Sequence, residues 1–345
     1  MTMTFVACSG ESSSDNPDSD AVQESSSQTN NSSSSGQNES TVISEGTVIE
    51  ENISDLQVTA NTFPALCVPT WITQIDGLYF IVDCYNNQVI YNDNLSDPLT
   101  SWKVMTSDIY RGHTIASNGK VYLIDDTENN RILVMKKGIN SNGDTVFVRT
   151  QEFGEIGTRP HFIIYNSANE TFYVWSSMTG EMYLFKYSDE KDSIYLSNIK
   201  SIPELNGYYV RSFSIIDNEI YLVSGDASVT ILDIDTFEVK KKYPVPLELV
   251  GMVQITLIDD YYYITISTDG YGSQDAATII RVKDLEDLAA GNYEDLYSNF
   301  IGGGTPYCIS KIDNHYYLCE HRLPEHSIWR FDIEDNEIIN CETIY

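Results

Sequence analysis

Asp76-Gly77-Leu78-Tyr79-Phe80-Ile81-Val82 joins a two-residue turn signal to an apolar run with Tyr near its start. Asp-Gly favours a tight hairpin turn, and aromatic and β-branched residues suit a pleated strand. The segment therefore reads as a turn and the second arm of a hairpin. The same pattern follows five more times. Asn118-Gly119 precedes Val121–Ile124, Ala168-Asn169 precedes Phe172–Trp175, and Asp217-Asn218 precedes Ile220–Val223. Asp259-Asp260 precedes Tyr261–Ile264, and Asp313-Asn314 precedes Tyr316–Leu318. Aligned on Tyr79, Tyr122, Tyr173, Tyr221, Tyr262 and Tyr316, the copies are 43, 51, 48, 41 and 54 residues apart. About 40–50 residues is the span of four short strands in one propeller blade. The period predicts an all-β, six-bladed β-propeller of four-stranded antiparallel blades.

The flanking residues supply the other strands. First arms precede the turns, as in Trp71–Ile75 and Phe213–Ile216, and third strands follow, as in Gln88–Tyr91 and Ser327–Phe331. The inner runs are apolar on both faces, which suits blades packed between neighbours. A β-sandwich, the competing all-β fold, leaves the period unexplained. Helical pattern is confined to Asp284–Ala290. Ring closure is assigned to Ile338–Tyr345 as the outer strand of blade six, or to an addition around Ile53–Val58.

Residues 1–50 differ from the rest of the 345-residue chain. Thirteen serines fall among the 32 residues from Ser9 to Ser40, with almost no large apolar side chain. Such a stretch buries too little to offset its chain entropy, so it reads as a disordered acidic tether, with the propeller occupying residues 51–345. The net charge is −31. A field of that sign repels phosphate backbones and anionic membranes, so nucleic acid is excluded as a partner. No run of about 18 apolar residues is present to span a bilayer.

Two resemblances add to this reading. Asp83-Cys84-Tyr85-Asn86-Asn87-Gln88-Val89 parallels Asp126-Thr127-Glu128-Asn129-Asn130-Arg131-Ile132. This pattern resembles the NHL repeat, a propeller family, and implies a tight turn held by Asp and Asn side chains. Phe5-Val6-Ala7-Cys8-Ser9 resembles a truncated bacterial lipobox. It implies lipidation of Cys8, an extracytoplasmic, membrane-anchored surface lipoprotein, and contact with the membrane only through that anchor.

In a propeller, the entrances of the first strands surround one end of the central channel. Here they read Arg111-Gly112-His113, Arg159-Pro160-His161 and Arg211-Ser212-Phe213. A planar guanidinium fork suits carboxylates and similar anions. The expected site is a ligand-binding funnel of Arg111, Arg159 and Arg211, walled by Trp71, His113, His161, Phe213 and Tyr307. Its ligand would be a small anion, a glycan or a protein, bound by a monomer without catalysis. The structural alternative pairs each Arg with a carboxylate of a neighbouring blade. His113, His161 and His321 are the candidate ligands for a divalent metal, which would make the channel a hydrolase or lyase site. Peptide-amidating lyases, similar NHL-like propellers, use His-bound metal in this way. Ca²⁺ is the other candidate cofactor, at the acidic loop Asp269–Asp275. No nucleophile elbow of the G-x-S-x-G type is present.

Six cysteines include Cys8; the other five are Cys67, Cys84, Cys308, Cys319 and Cys341. An odd number cannot all pair within the folded part. Cys308 and Cys319 flank the Asp313-Asn314 turn symmetrically and are the candidate disulfide, with buried thiols as the alternative.

Overall fold

The computed structural model describes residues 44–323 and 325–345. Six antiparallel sheets follow one another along the chain as the blades of a β-propeller. Blade one comprises Pro69–Ile75, Leu78–Asp83, Gln88–Asn92 and Lys103–Thr106; blade two comprises Ile115–Ser117, Tyr122–Asp126, Arg131–Ile139 and Thr145–Phe153. Blade three is Pro160–Asn166, Thr171–Ser176, Glu181–Ser188 and Ser193–Ser201, and blade four is Val210–Ile216, Glu219–Ser224, Ser228–Asp233 and Val239–Pro244. Met252–Ile258, Tyr261–Ile266, Thr278–Val282 and Glu294–Asp295 make blade five, and Thr305–Ile312, His315–His321, Ile328–Glu334 and Glu337–Thr343 make blade six. The helical pattern at Asp284–Ala290 is a single 3-10 segment, Leu285–Ala290, whose amide at Glu286 is capped by Asp284.

Apolar clusters fill the gaps between blades. Between blades one and two, Phe80, Tyr91, Tyr122 and Phe147 meet with ring centroids 4.9–6.2 Å apart. Trp71 of blade one and Phe162 of blade three touch edge to face at 5.4 Å, although blade two separates their sheets along the chain. That contact spans the central channel and plugs it.

Strand register corrects the sequence alignment in two blades. Tyr79, Tyr122, Tyr262 and Tyr316 hold equivalent ladder positions, opposite Gln74, Ser117, Leu257 and Lys311. Phe172 and Ile220 hold that position in blades three and four. Tyr173 and Tyr221 are one residue further on, and side chains alternate along a strand, so these two face the opposite gap.

Closure uses the C-terminal end of the chain, without exchanging a strand. Glu337–Thr343 is the outer strand of blade six, as expected. Tyr345 then docks on blade one, with its ring 5.9 Å from that of Trp102 and its hydroxyl accepting from Trp102 Nε1 at 3.0 Å. The same hydroxyl donates to the carbonyl of Asp97 at 2.7 Å. The segment before blade one lies along outer edges instead. Ser44 bridges Leu196 of blade three, Thr47–Val48 pairs with the outer strand of blade two, and Thr59–Ala60 pairs with that of blade one. Residues 44–50, assigned to the tether on sequence grounds, thus lie against the blades. Ile53–Asp55 forms a 3-10 turn rather than a strand. Cys8 and the remainder of the tether lie outside the described residues.

All five described cysteines are free thiols. The Cys308–Cys319 disulfide is not formed. A bulge between Pro306 and Ile309 sets Tyr307 and Cys308 together against Cys319, which breaks the direct pairing that symmetry about the turn suggested.

Candidate functional site

The turns that suggested the NHL repeat build the rim of the funnel. Cys84–Asn86 and Thr127–Asn129 are 3-10 turns, each ending in a left-handed Asn, Asn87 and Asn130. Asp83 accepts from the Cys67 amide at 2.7 Å and from Asn86 Nδ2 at 2.7 Å. Asp126 accepts from the Tyr110 amide at 2.7 Å and from Arg131 Nε at 2.6 Å. The two left-handed asparagines then reach the next blade. Asn87 Oδ1 accepts from the Arg111 amide at 3.0 Å, and Asn130 Oδ1 accepts from the Arg159 amide at 2.7 Å. Arg111 and Arg159 themselves have φ of 57° and 59°, a strained conformation that these bonds hold in place. The repeat therefore fixes two guanidiniums at equivalent points.

Arg211 does not share that position. In five blades the pairs that precede the entrance bulge are Pro69–Asp83, Pro160–Ser176, Val210–Ser224, Met252–Ile266 and Pro306–Glu320. The residues just before them are Val68, Arg159, Tyr209, Gly251 and Thr305, and Arg111 takes that place in blade two. The residues just after them are Thr70, His161, Arg211, Val253 and Tyr307, with His113 as the blade-two equivalent. Arg211 lies at the histidine level, one step deeper than Arg159. It is buried, and it donates to Ser267 Oγ at 2.7 Å and the Gly251 carbonyl at 3.4 Å. Phe213 is also displaced: it is fully buried between blades three and four, 5.9 Å from Phe162, and does not wall the funnel. Trp71 belongs to the plug beneath.

The remaining candidates converge. Glu128 Oε1 is 3.1 Å from Arg159 Nη2 and 3.9 Å from Arg111 Nη1, so two cations share one carboxylate across the blade boundary. For Arg159 this is the inter-blade pairing of the structural alternative, whereas the Arg111 contact lies within blade two. Arg159 Nε is buried with no hydrogen-bond partner among the described residues. The Arg159 and Arg211 guanidiniums both stack on Tyr209, at 5.2 and 5.0 Å from its centroid. Arg111 lies between Tyr85 and Tyr110, at 5.1 and 5.4 Å. Tyr110 and Tyr208 are exposed at the mouth. Sequence reading missed Tyr209, Tyr85 and Glu128, because each precedes or follows a strand by a distance that only register supplies.

Below the arginines the floor is polar and buried. His113 and His161 stack at 3.7 Å with 14° between planes. Tyr307 reaches over from blade six, its hydroxyl 3.0 Å from His113 Nδ1 and 3.4 Å from His161 Nε2. Tyr209 completes the cluster, its hydroxyl 3.1 Å from His161 Nε2. Burial, reinforced by the surrounding guanidiniums, holds both imidazoles well below the usual histidine range, so they are neutral. Burial also pushes the Tyr307 hydroxyl upward. Under His113, Asp125 accepts the amides of His113 and Thr114 at 2.8 and 2.6 Å, and burial pushes it up to about 7.

The metal reading finds no matching geometry. Parallel stacked imidazoles aim their lone pairs in parallel planes, not at one point. His321 is set apart, with its ring 6.1 Å from that of Tyr307. Among the described residues, no three His, Cys, Asp or Glu side chains are grouped to hold a metal ion. At the acidic loop, Asp269 Oδ1 accepts the amides of Tyr271 and Ser273, both at 2.8 Å, which turns the carboxylate inward as a loop brace.

No family model matches the chain, and no curated protein matches it. Solved structures show the same fold. A streptogramin B lyase is 15% identical, with 82% of this chain and 85% of that one covered and a TM-score of 0.54. A Bacteroides fragilis protein provisionally assigned as a 6-phosphogluconolactonase is 11% identical over 81% and 85%, with a TM-score of 0.56. A catalytically inactive variant of virginiamycin B lyase from Staphylococcus aureus, solved with quinupristin, is 15% identical over 84% and 88%, with a TM-score of 0.53. At such identities the likeness concerns the fold.

Proposed function

We propose that the funnel binds a small organic anion through its carboxylate, without transforming it, in an NHL-like propeller displayed outside the cytoplasm as a lipoprotein. One observation carries the binding reading. Arg111 and Arg159 are held at matched, strained positions yet share only Glu128, and Arg159 keeps a buried N–H without a partner. A buried donor left unmade costs about 1–3 kcal/mol, and a ligand carboxylate would recover that. Tyr85, Tyr110 and Tyr209 would flank the ligand with flat, amphipathic faces.

The lipobox-like Phe5–Ser9 and the polar stretch after it support anchoring at Cys8, with the residues between Cys8 and Ser44 as the spacer. Titration calorimetry with succinate, citrate and galacturonate against neutral galactose tests the binding reading. Selective uptake of the acids supports it. Equal affinity for galactose, or heat from none of the acids, overturns it. Product formation from a bound acid would establish the catalytic alternative instead.

A further inference from the structure

Blades radiate from the axis, so the gap between neighbours widens outward and must be filled by large side chains. Between blades one and two, Tyr91, Phe147, Tyr122 and Phe80 fill it. Between blades three and four, the matching periphery carries Thr171, Ser197 and Asn198, and a groove of about 580 Å³ remains. That volume falls within the range of small-molecule sites, about 300–1,000 Å³. It opens at the side of the disc, on the far side of blade three from the Arg159 entrance.

The lining carries two cations, Lys186 and Lys200, one carboxylate, Asp235, and the polar side chains of Tyr195 and Asn198. Tyr173 and Phe237 form one wall, with centroids 6.4 Å apart and 23° between planes. Lys200 Nζ lies 5.9 Å over the Phe237 ring. Half-buried Tyr195 and exposed Lys186 line the same groove. Among the described residues, neither the Tyr195 hydroxyl, the Asn198 side-chain N–H groups nor the Lys186 ammonium has a hydrogen-bond partner or a carboxylate. Hydroxyl, amide and ammonium donors beside flat rings match a ligand rich in hydroxyl acceptors with one anionic group.

We propose that the groove between blades three and four is a second binding site, for an acidic saccharide, with Lys186 meeting its carboxylate, Tyr195 and Asn198 its hydroxyls, and Tyr173 and Phe237 backing the ring. The proposal is independent of the funnel. The test is titration calorimetry of the full chain with trigalacturonate and with its neutral methyl ester. Trigalacturonate should bind, and the ester should bind about tenfold more weakly, the effect of losing one charge-assisted hydrogen bond. Lys186→Ser should weaken the acid to the level of the ester, and Tyr195→Phe should weaken both. The titrations are run in the Arg111→Gln/Arg159→Gln background, which disables the funnel, so that uptake by the groove alone is read. Absence of trigalacturonate binding, or binding indifferent to Lys186→Ser and Tyr195→Phe, overturns the proposal. Trigalacturonate bound by the unsubstituted protein but not in that background also overturns it, and assigns the saccharide to the funnel.

Discussion

Tyr307 crosses the floor of the funnel from blade six, and its hydroxyl lies 3.0 Å from Nδ1 of His113 in blade two. The two sheets are not neighbours, so this bond ties the ring across its centre. It also leaves the imidazoles a polar partner inside a buried floor. Tyr307→Phe keeps the ring and removes the hydroxyl shared by His113 and His161. The expected cost is about 1–3 kcal/mol, the penalty for a buried polar group left unsatisfied. Urea unfolding followed by tryptophan fluorescence reads it as a lower midpoint at unchanged slope.

Asp125 should give the floor a pH signature. Its folded value, pushed up to about 7, stands above the ordinary aspartate value near 3.9. The folded protein therefore binds a proton that the unfolded chain does not. That contribution to stability is complete below about pH 4 and is lost as pH rises through 7. Asp125→Asn lacks it. Relative to the unsubstituted protein, the variant should lose about 1.4 kcal/mol per pH unit on going from pH 7 towards pH 4. Unfolding free energies at pH 7, 6 and 5 decide the matter; parallel pH profiles would contradict the assignment.

Tyr345 closes the ring against Trp102. Tyr345→Ala removes an aromatic contact and the acceptor of the Trp102 N–H together. A loss of about 2–4 kcal/mol is expected, in line with truncating a largely buried aromatic. Blade one should open first, so native-state hydrogen exchange should rise in Lys103–Thr106 ahead of blade four. A uniform rise in all blades would refute a local latch.

The short strands Thr47–Val48 and Thr59–Ala60 cover the outer edges of blades two and one. An uncovered edge is a template for pairing with another chain. Replacing residues 44–60 with a Gly/Ser linker of equal length should leave the sheets intact by circular dichroism and promote concentration-dependent association. Light scattering that stays monomeric at high concentration would argue against an edge-covering role.

The sequence shows the blade count plainly, because a turn pair followed by an apolar run is a local signal. It does not show register. Arg211 follows the pair before its blade's bulge, Val210–Ser224, whereas Arg159 precedes the equivalent pair, Pro160–Ser176, so Arg211 sits at the level of His161 and Tyr209 at that of Arg159, although spacing alone aligns Arg211 with Arg111 and Arg159. The same one-residue uncertainty put Tyr173 and Tyr221 in place of Phe172 and Ile220. Contacts across the channel, such as Trp71 with Phe162, depend on which opposing side chains are small, and no linear pattern encodes that. Convergence of His113, His161 and Tyr307 was legible; their stacked arrangement, unlike a metal site, was not.

The central claim is that the paired entrance arginines hold an anion and do more than space the blades. The most direct measurement is calorimetric titration of succinate into the unsubstituted protein and into the Arg111→Gln/Arg159→Gln double variant, with unfolding midpoints taken in parallel. The account predicts binding to the first, a loss of about tenfold or more in the second, and a small change in stability, since both side chains are partly exposed. Unchanged binding with a large fall in the unfolding midpoint would contradict it and would make the arginines spacers between blades.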